Sequence, residues 1–132
     1  MKARTQLGDL QLAIMRVLWQ RGEASVNEVH GALLDERGLA PTTIATMLGK
    51  MEKKGVVDHT TEGRKFIYRA TVSEHAVRRS MVGELTSRLF QGDSAALVSH
   101  LLSEHEIDGT ALADLQRRIV REETARQEKE GN

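Results

Sequence analysis

Three features of the 132-residue chain predict a mainly α fold with one small β element, an α+β arrangement. Apolar residues recur at helical spacing through three consecutive segments that end at Gly55. Two short β-type runs follow at once, one opening with Val56 and Val57 and one carrying Phe66 and Tyr68, joined by Glu62-Gly63-Arg64. Beyond Thr71 the pattern returns to longer helices. Three helices feeding a basic hairpin predict an N-terminal winged helix-turn-helix over residues 1–71, and the rest, residues 72–132, is expected to be a helical dimerisation region.

The first helix carries Leu10, Ile14, Val17 and Leu18 on one face, with Trp19 near its end and Gly22 as its stop. The second starts at Ser25, whose hydroxyl can cap free backbone amides while Glu28, three residues on, reaches back in a Ser-x-x-Glu capping box. Val26, Val29 and Leu33 form its apolar face and Gly38 closes it. Pro41 opens the third helix at the first-turn position, where a missing amide hydrogen costs nothing, although Ala40 before it is a poor cap.

In the third helix Ile44, Met47, Leu48 and Met51 fall at i, i+3, i+4 and i+7, so they face the other helices. Thr42, Thr43, Thr46, Gly49, Lys50 and Lys53 are left outward. Threonine is a mediocre helix former and adds little to an ordinary solvated face. On duplex DNA the same residues have a use: the hydroxyls reach phosphates or base edges, the methyls touch thymine, and the lysines lie along the backbone. Pro41, Thr42, Thr43, Thr46 and Lys50 are therefore the expected DNA contacts of this helix, and Arg64 and Lys65 at the hairpin tip are the expected phosphate contacts of the wing.

Past Thr71, Val77, Met81, Leu85 and Leu89 recur every four residues from about Ser73 to Phe90. Gln91-Gly92-Asp93 breaks that helix, and a short one follows with Leu97, Val98, Leu101 and Leu102. After Asp108-Gly109 the last helix places Leu112, Leu115 and Ile119 at coiled-coil-like spacing and fades into the charged tail Arg121–Asn132, whose end is expected to fray. These helices hold too few large side chains for a core of their own, so their stripes are expected to pair with a second copy. Val77, Met81, Leu85, Leu89, Val98, Leu101, Leu102, Leu112, Leu115 and Ile119 are the expected dimer residues.

Charge supports this division of labour. The net charge is zero, which argues against a histone-like cationic coat, yet residues 1–70 carry eleven Lys and Arg against eight Asp and Glu, and residues 71–132 the reverse excess. An excess of three is small, so DNA affinity would rest on a few placed contacts used twice. The chain has no cysteine, which excludes disulfides, thiolate catalysis and Cys-ligated metals. No apolar run approaches the roughly 20 residues of a membrane span, and Met1-Lys2-Ala3-Arg4 is not followed by a signal-peptide core, so a cytoplasmic chain is expected. Of the five histidines, His30, His59, His75, His100 and His105, His100 shares a helix face with Glu104 at i+4, with no third ligand evident. No metal, cofactor or catalytic constellation is expected, and His59 reads as a surface residue of the wing.

Taken together, Leu7-Gly8-Asp9-Leu10 with Val17-Leu18-Trp19, Ala40-Pro41-Thr42-Thr43-Ile44 with Met51 and Lys53-Lys54-Gly55, the wing Gly63-Arg64-Phe66-Tyr68, and Leu89-Phe90 with Gly92-Asp93 resemble the penicillinase and methicillin-resistance repressor family. The likeness runs from about Leu7 to Arg121 and extends to copper-responsive repressors of similar fold. It implies a homodimeric repressor on inverted-repeat operators, with the third helix in the major groove and the C-terminal helices making the dimer; the residues themselves offer no catalytic set, so no enzymatic activity is expected. In the β-lactam-responsive members a membrane sensor of metalloprotease type leads to cleavage in the dimerisation region, and the matching bond here is His100-Leu101. The cysteine pairs of the copper-responsive members have no counterpart. Two other readings stay open: a ligand-sensing winged-helix regulator, which needs an apolar pocket, and a winged-helix protein-interaction module, whose binding would lack a steep salt dependence.

Overall fold

A computed structural model describes residues 6–130. The basic start Met1–Arg4 and the last two residues of the tail lie outside the described residues. The chain divides into two compact units that part between Glu84 and Leu85.

The first unit contains α1 (Asp9–Arg21), β1 (Ala24–Ser25), α2 (Val26–Arg37), α3 (Pro41–Lys54), β2 (Val57–Glu62), β3 (Lys65–Ala70) and the first half of α4 (Glu74–Phe90). The expected caps form. Ser25 Oγ accepts from the Glu28 amide at 3.2 Å while the Glu28 carboxylate accepts from the Ser25 amide at 2.9 Å. Gly38 closes α2 in the left-handed region, and Pro41 opens α3 behind an Ala40 that makes no side-chain cap bond. Ile14 and Leu18 of α1, Val29 of α2, and Ile44, Leu48 and Met51 of α3 are fully buried together with Val57 of β2. Tyr68 of β3 and Val77 of α4 complete this core, so the hairpin and the start of α4 cover the three helices.

The sheet has the antiparallel order β1-β3-β2. The wing turn is tighter than the three-residue joint expected from Glu62-Gly63-Arg64, because Glu62 pairs with Lys65 and only Gly63 and Arg64 turn. Gly63 has φ 64° and Arg64 has no positive φ, the pattern of a two-residue type II′ hairpin, whose twist matches that of its strands. The short strand β1, which pairs Ala24 with Tyr68 and Ser25 with Ile67, was not among the expected elements. Ser25 thus ends a strand and caps a helix at once.

The second unit holds the rest of α4, α5 (Ser94–Ser103) and α6 (Gly109–Glu130). Asp93 caps α5 through a 3.1 Å bond from the Ala96 amide, and Asp108 caps α6 through a 2.8 Å bond from the Ala111 amide. The charged tail is helical through Glu130, and its last two residues lie outside the described residues. Among the described residues of this unit, no apolar side chain is buried. No helix among the described residues is long and apolar enough to cross a membrane.

Candidate nucleic-acid interface

The amphipathic pattern of α3 fixes what that helix presents. With Ile44, Leu48 and Met51 in the core, Pro41, Thr42, Thr43, Thr46 and Lys50 all lie exposed. Ala45 and Glu52, seven residues apart on one edge of the helix, face the wing. Thr43 and Lys50, also seven apart, lie on the other edge, and the row Thr42, Thr46 and Lys53 runs between them.

Arg64 and Lys65 are exposed at the wing tip and line an open groove of about 450 Å³ with Asn27 of α2, Ala45 of α3 and Phe66 of β3. The groove wall contains two cations and no carboxylate. A wider hollow on the other flank, about 890 Å³, also touches Arg64 and Lys65 but includes Glu23, Glu28 and Glu62, so its charge is mixed. A polyanion is therefore favoured on the α3 side of the wing. Sequence reasoning missed Asn27, Ala45 and Phe66, which tertiary folding brings to this wall.

Ion pairing sorts the cations of this unit. Arg69 is held by Glu23 at 3.3 Å and Asp58 at 4.0 Å, and Arg21 by Glu28 at 3.6 Å. Lys54 donates to the Gln6 carbonyl at 2.7 Å and to Gln11 at 2.9 Å. Among the described residues Lys50, Arg64 and Lys65 form no ion pair, and neither does Lys53 on the exposed face of α3. Hydrogen bonds from the Ser25 amide and hydroxyl hold the Glu28 carboxyl below its ordinary range against the opposing cost of desolvation, with Arg21 and Lys65 adding lesser pulls in the same direction as the hydrogen bonds. Burial pushes the Tyr68 hydroxyl up, and the nearby Glu52 carboxylate adds to it.

His59 is not a plain surface residue. Its ring is partly buried, bonded to Glu52 and stacked on Phe66, which is itself 46% exposed. The signal lay in the strand register: once Glu62 pairs with Lys65, His59 must pair with Tyr68, and Phe66 falls diagonally beside it.

The expected dimer residues divide between the units. Val77 is buried in the first core and Met81 packs against it, so these two serve the winged helix itself. Leu85, Leu89, Val98, Leu115 and Ile119 are exposed on the second unit, Leu101, Leu102 and Leu112 are partly covered, and Val120 adds an exposed apolar side chain that was not foreseen. The His100-Leu101 bond lies inside α5, where the His100 carbonyl accepts from the Glu104 amide at 3.0 Å and from Ser103 Oγ at 3.0 Å. The His100 ring sits 5.9 Å from that of Phe90. Among the described residues no three His, Asp or Glu side chains group as a metal site.

The chain is similar to the penicillinase repressor of Bacillus licheniformis, 30% identical over 115 residues that span 87% of this chain and 90% of that one. It is 35% identical over 120 residues to the transcriptional regulator BlaI of Mycobacterium tuberculosis, covering 89% of this chain and 85% of that protein. The solved DNA-binding domain of the repressor BlaI matches with a TM-score of 0.50 and 38% identity over 56% of this chain and 90% of that domain. The family description "Penicillinase repressor" matches residues 7–121, and the chain belongs to that family.

Proposed function

We infer that the protein is a transcriptional repressor that binds duplex operator DNA as a homodimer, laying α3 in the major groove and the wing against the phosphate backbone. The observation that carries this reading is the wing groove: Arg64 and Lys65 line a wall that holds no carboxylate, and among the described residues they and Lys50 on the exposed face of α3 form no ion pair, whereas Arg21 and Arg69 are paired within the fold. The Bacillus licheniformis relative is described as a penicillinase repressor, and α3 and the wing lie within residues 7–121, which the family description matches. Two copies are needed because the excess of positive charge per winged helix is only three. The exposed stripes of α4, α5 and α6 supply the pairing surface, since the second unit buries no apolar side chain among its described residues.

Release by proteolysis at His100-Leu101, through a protease linked to a membrane sensor, is the induction route that the family likeness favours. The bond is helical, so a protease must first unwind part of α5. Operator selection from random duplexes, followed by sedimentation with and without the selected site, tests the central reading. Two chains per site are expected, with half-sites about one helical turn, roughly 34–36 Å, apart on one face of the duplex. A monomer bound one-to-one with full affinity would sink it.

A further inference from the structure

The Glu52 carboxylate stands at the end of α3, and His59 lies in the middle of β2. His59 Nδ1 is 2.7 Å from one Glu52 oxygen and 2.9 Å from the other. A carboxylate only accepts, so Nδ1 carries the proton and donates. The imidazole stacks on Phe66 with ring centres 4.0 Å apart and planes 17° from parallel, and it meets Tyr68 at 5.4 Å. One side-chain cluster thus joins α3 to both strands of the wing.

The core does not require this arrangement. The Glu52 and His59 side chains remain 35% and 26% exposed, and Phe66 is left nearly half in solvent directly after Lys65. What the cluster does is remove freedom. A protein that must meet a groove with one element and a phosphate with another loses less on binding if their relative angle is already set.

We propose that Glu52 and His59 are positioning residues: their hydrogen-bonded pair, with Phe66 stacked upon it, holds the wing at the angle to α3 at which Arg64 and Lys65 meet the DNA backbone. The inference rests on the reading that the wing touches DNA. Neither residue touches DNA itself. Electrostatics makes the idea easy to separate from a charge effect, because removing the Glu52 carboxylate from beside a polyanion should by itself tighten binding. As a positioning residue its loss must weaken binding instead.

The test uses the full chain and a duplex selected by binding from random sequence. Affinity is measured across a salt series for Glu52→Ala, Glu52→Gln, His59→Ala, Arg64→Ala/Lys65→Ala, and each Ala variant combined with that pair. Thermal unfolding checks that every protein measured is folded. Glu52→Ala and His59→Ala should each weaken binding roughly 2- to 10-fold, the range that one or two freed interface elements imply. Glu52→Gln keeps an acceptor for Nδ1 and should retain most of the affinity. Neither loss should persist once Arg64 and Lys65 are gone. Unchanged or tighter binding by folded Glu52→Ala, or an equal loss in the Arg64→Ala/Lys65→Ala background, overturns the positioning role while leaving the wing contact intact. Should Arg64→Ala/Lys65→Ala itself bind normally, the wing reading fails and the inference with it. If His59→Ala does not fold, Glu52→Ala and Glu52→Gln decide the matter between them.

Discussion

Ser25 serves three structural needs at once: its backbone pairs with Ile67, its hydroxyl caps α2, and its amide is capped in turn by Glu28. Ser25→Ala should therefore cost about 0.5–2 kcal/mol of stability, as loss of a helix cap does, readable as a lower midpoint in urea at unchanged slope. Glu28 gives the same cap a pH signature. Its carboxyl is held below the ordinary range in the folded chain, so the stability it contributes is present above the unfolded value and is lost as pH falls through the folded one. Acid unfolding of Glu28→Gln should consequently show a shallower decline on the low side of the usual carboxylate range than the parent chain, and an identical decline would remove Glu28 from the account. On the proposed DNA-facing side, the chemistry of the exposed residues predicts two kinds of effect. Thr43→Ala and Thr46→Ala should alter sequence preference, with base discrimination changing by about 1–3 kcal/mol at single positions. Lys50→Ala, Arg64→Ala and Lys65→Ala should weaken binding to all duplexes alike and flatten the salt slope by about one each. A selection experiment on the threonine variants and a salt titration on the cationic ones check the division. It fails if Arg64→Ala changes preference while leaving the slope alone.

Between α3 and the wing the chain turns through a left-handed Gly55, φ 87°, whose amide bonds to the Glu52 carbonyl at 3.0 Å while the Val56 amide bonds to that of Met51 at 3.1 Å. This paired closure seats buried Val56 over buried Met51 and starts β2 in the direction the wing needs. No atom lies within 4 Å of where a Cβ would sit, so Gly55→Ala carries conformational strain without a clash and should cost about 1–2 kcal/mol in thermal or urea unfolding. A loss much larger than that would point to a shifted wing. Local rules of this kind made the helices readable from sequence: the Ser25-Glu28 box, Pro41, and Gly38 and Gly55 all stand where the structure puts helix ends. β1 escaped because a two-residue strand has no period of its own and exists only through pairing with β3. The Glu52-His59 tie escaped for a different reason. A joint read as three residues leaves the register one place loose, and a shift of one place moves every side chain of a strand to the other face. Val77 escaped because a four-residue apolar repeat looks the same whether it is covered by its own chain or by a second one.

At the level of the whole molecule the two units have opposite balances. The first buries its apolar side chains in one core and leaves the outer face of α3 and the wing tip to solvent, whereas the second has caps at the start of α5 and α6 but no buried apolar side chain among its described residues. In the proposed dimer a second copy would complete what the second unit lacks, which would make the proposed cut at His100-Leu101 a switch on dimerisation rather than on folding. Removing the chain beyond His100 takes away Leu112, Leu115 and Ile119, and with them up to roughly 4–9 kcal/mol of apolar burial per chain. It leaves Ile14, Leu48, Met51 and Val77 in place, so the winged helix keeps its core. Two linked half-sites bind far more tightly than two separate ones, because the second contact is made at the effective concentration set by the dimer. A chain ended after His100 should therefore sediment as a monomer, retain the unfolding transition of the first unit, and bind the operator about 10²- to 10⁴-fold more weakly. Sedimentation, circular dichroism and operator titration on that fragment give the three readings independently. A fragment that stays dimeric with full affinity would exclude release by this cut and turn attention to a ligand or partner that acts on the intact chain.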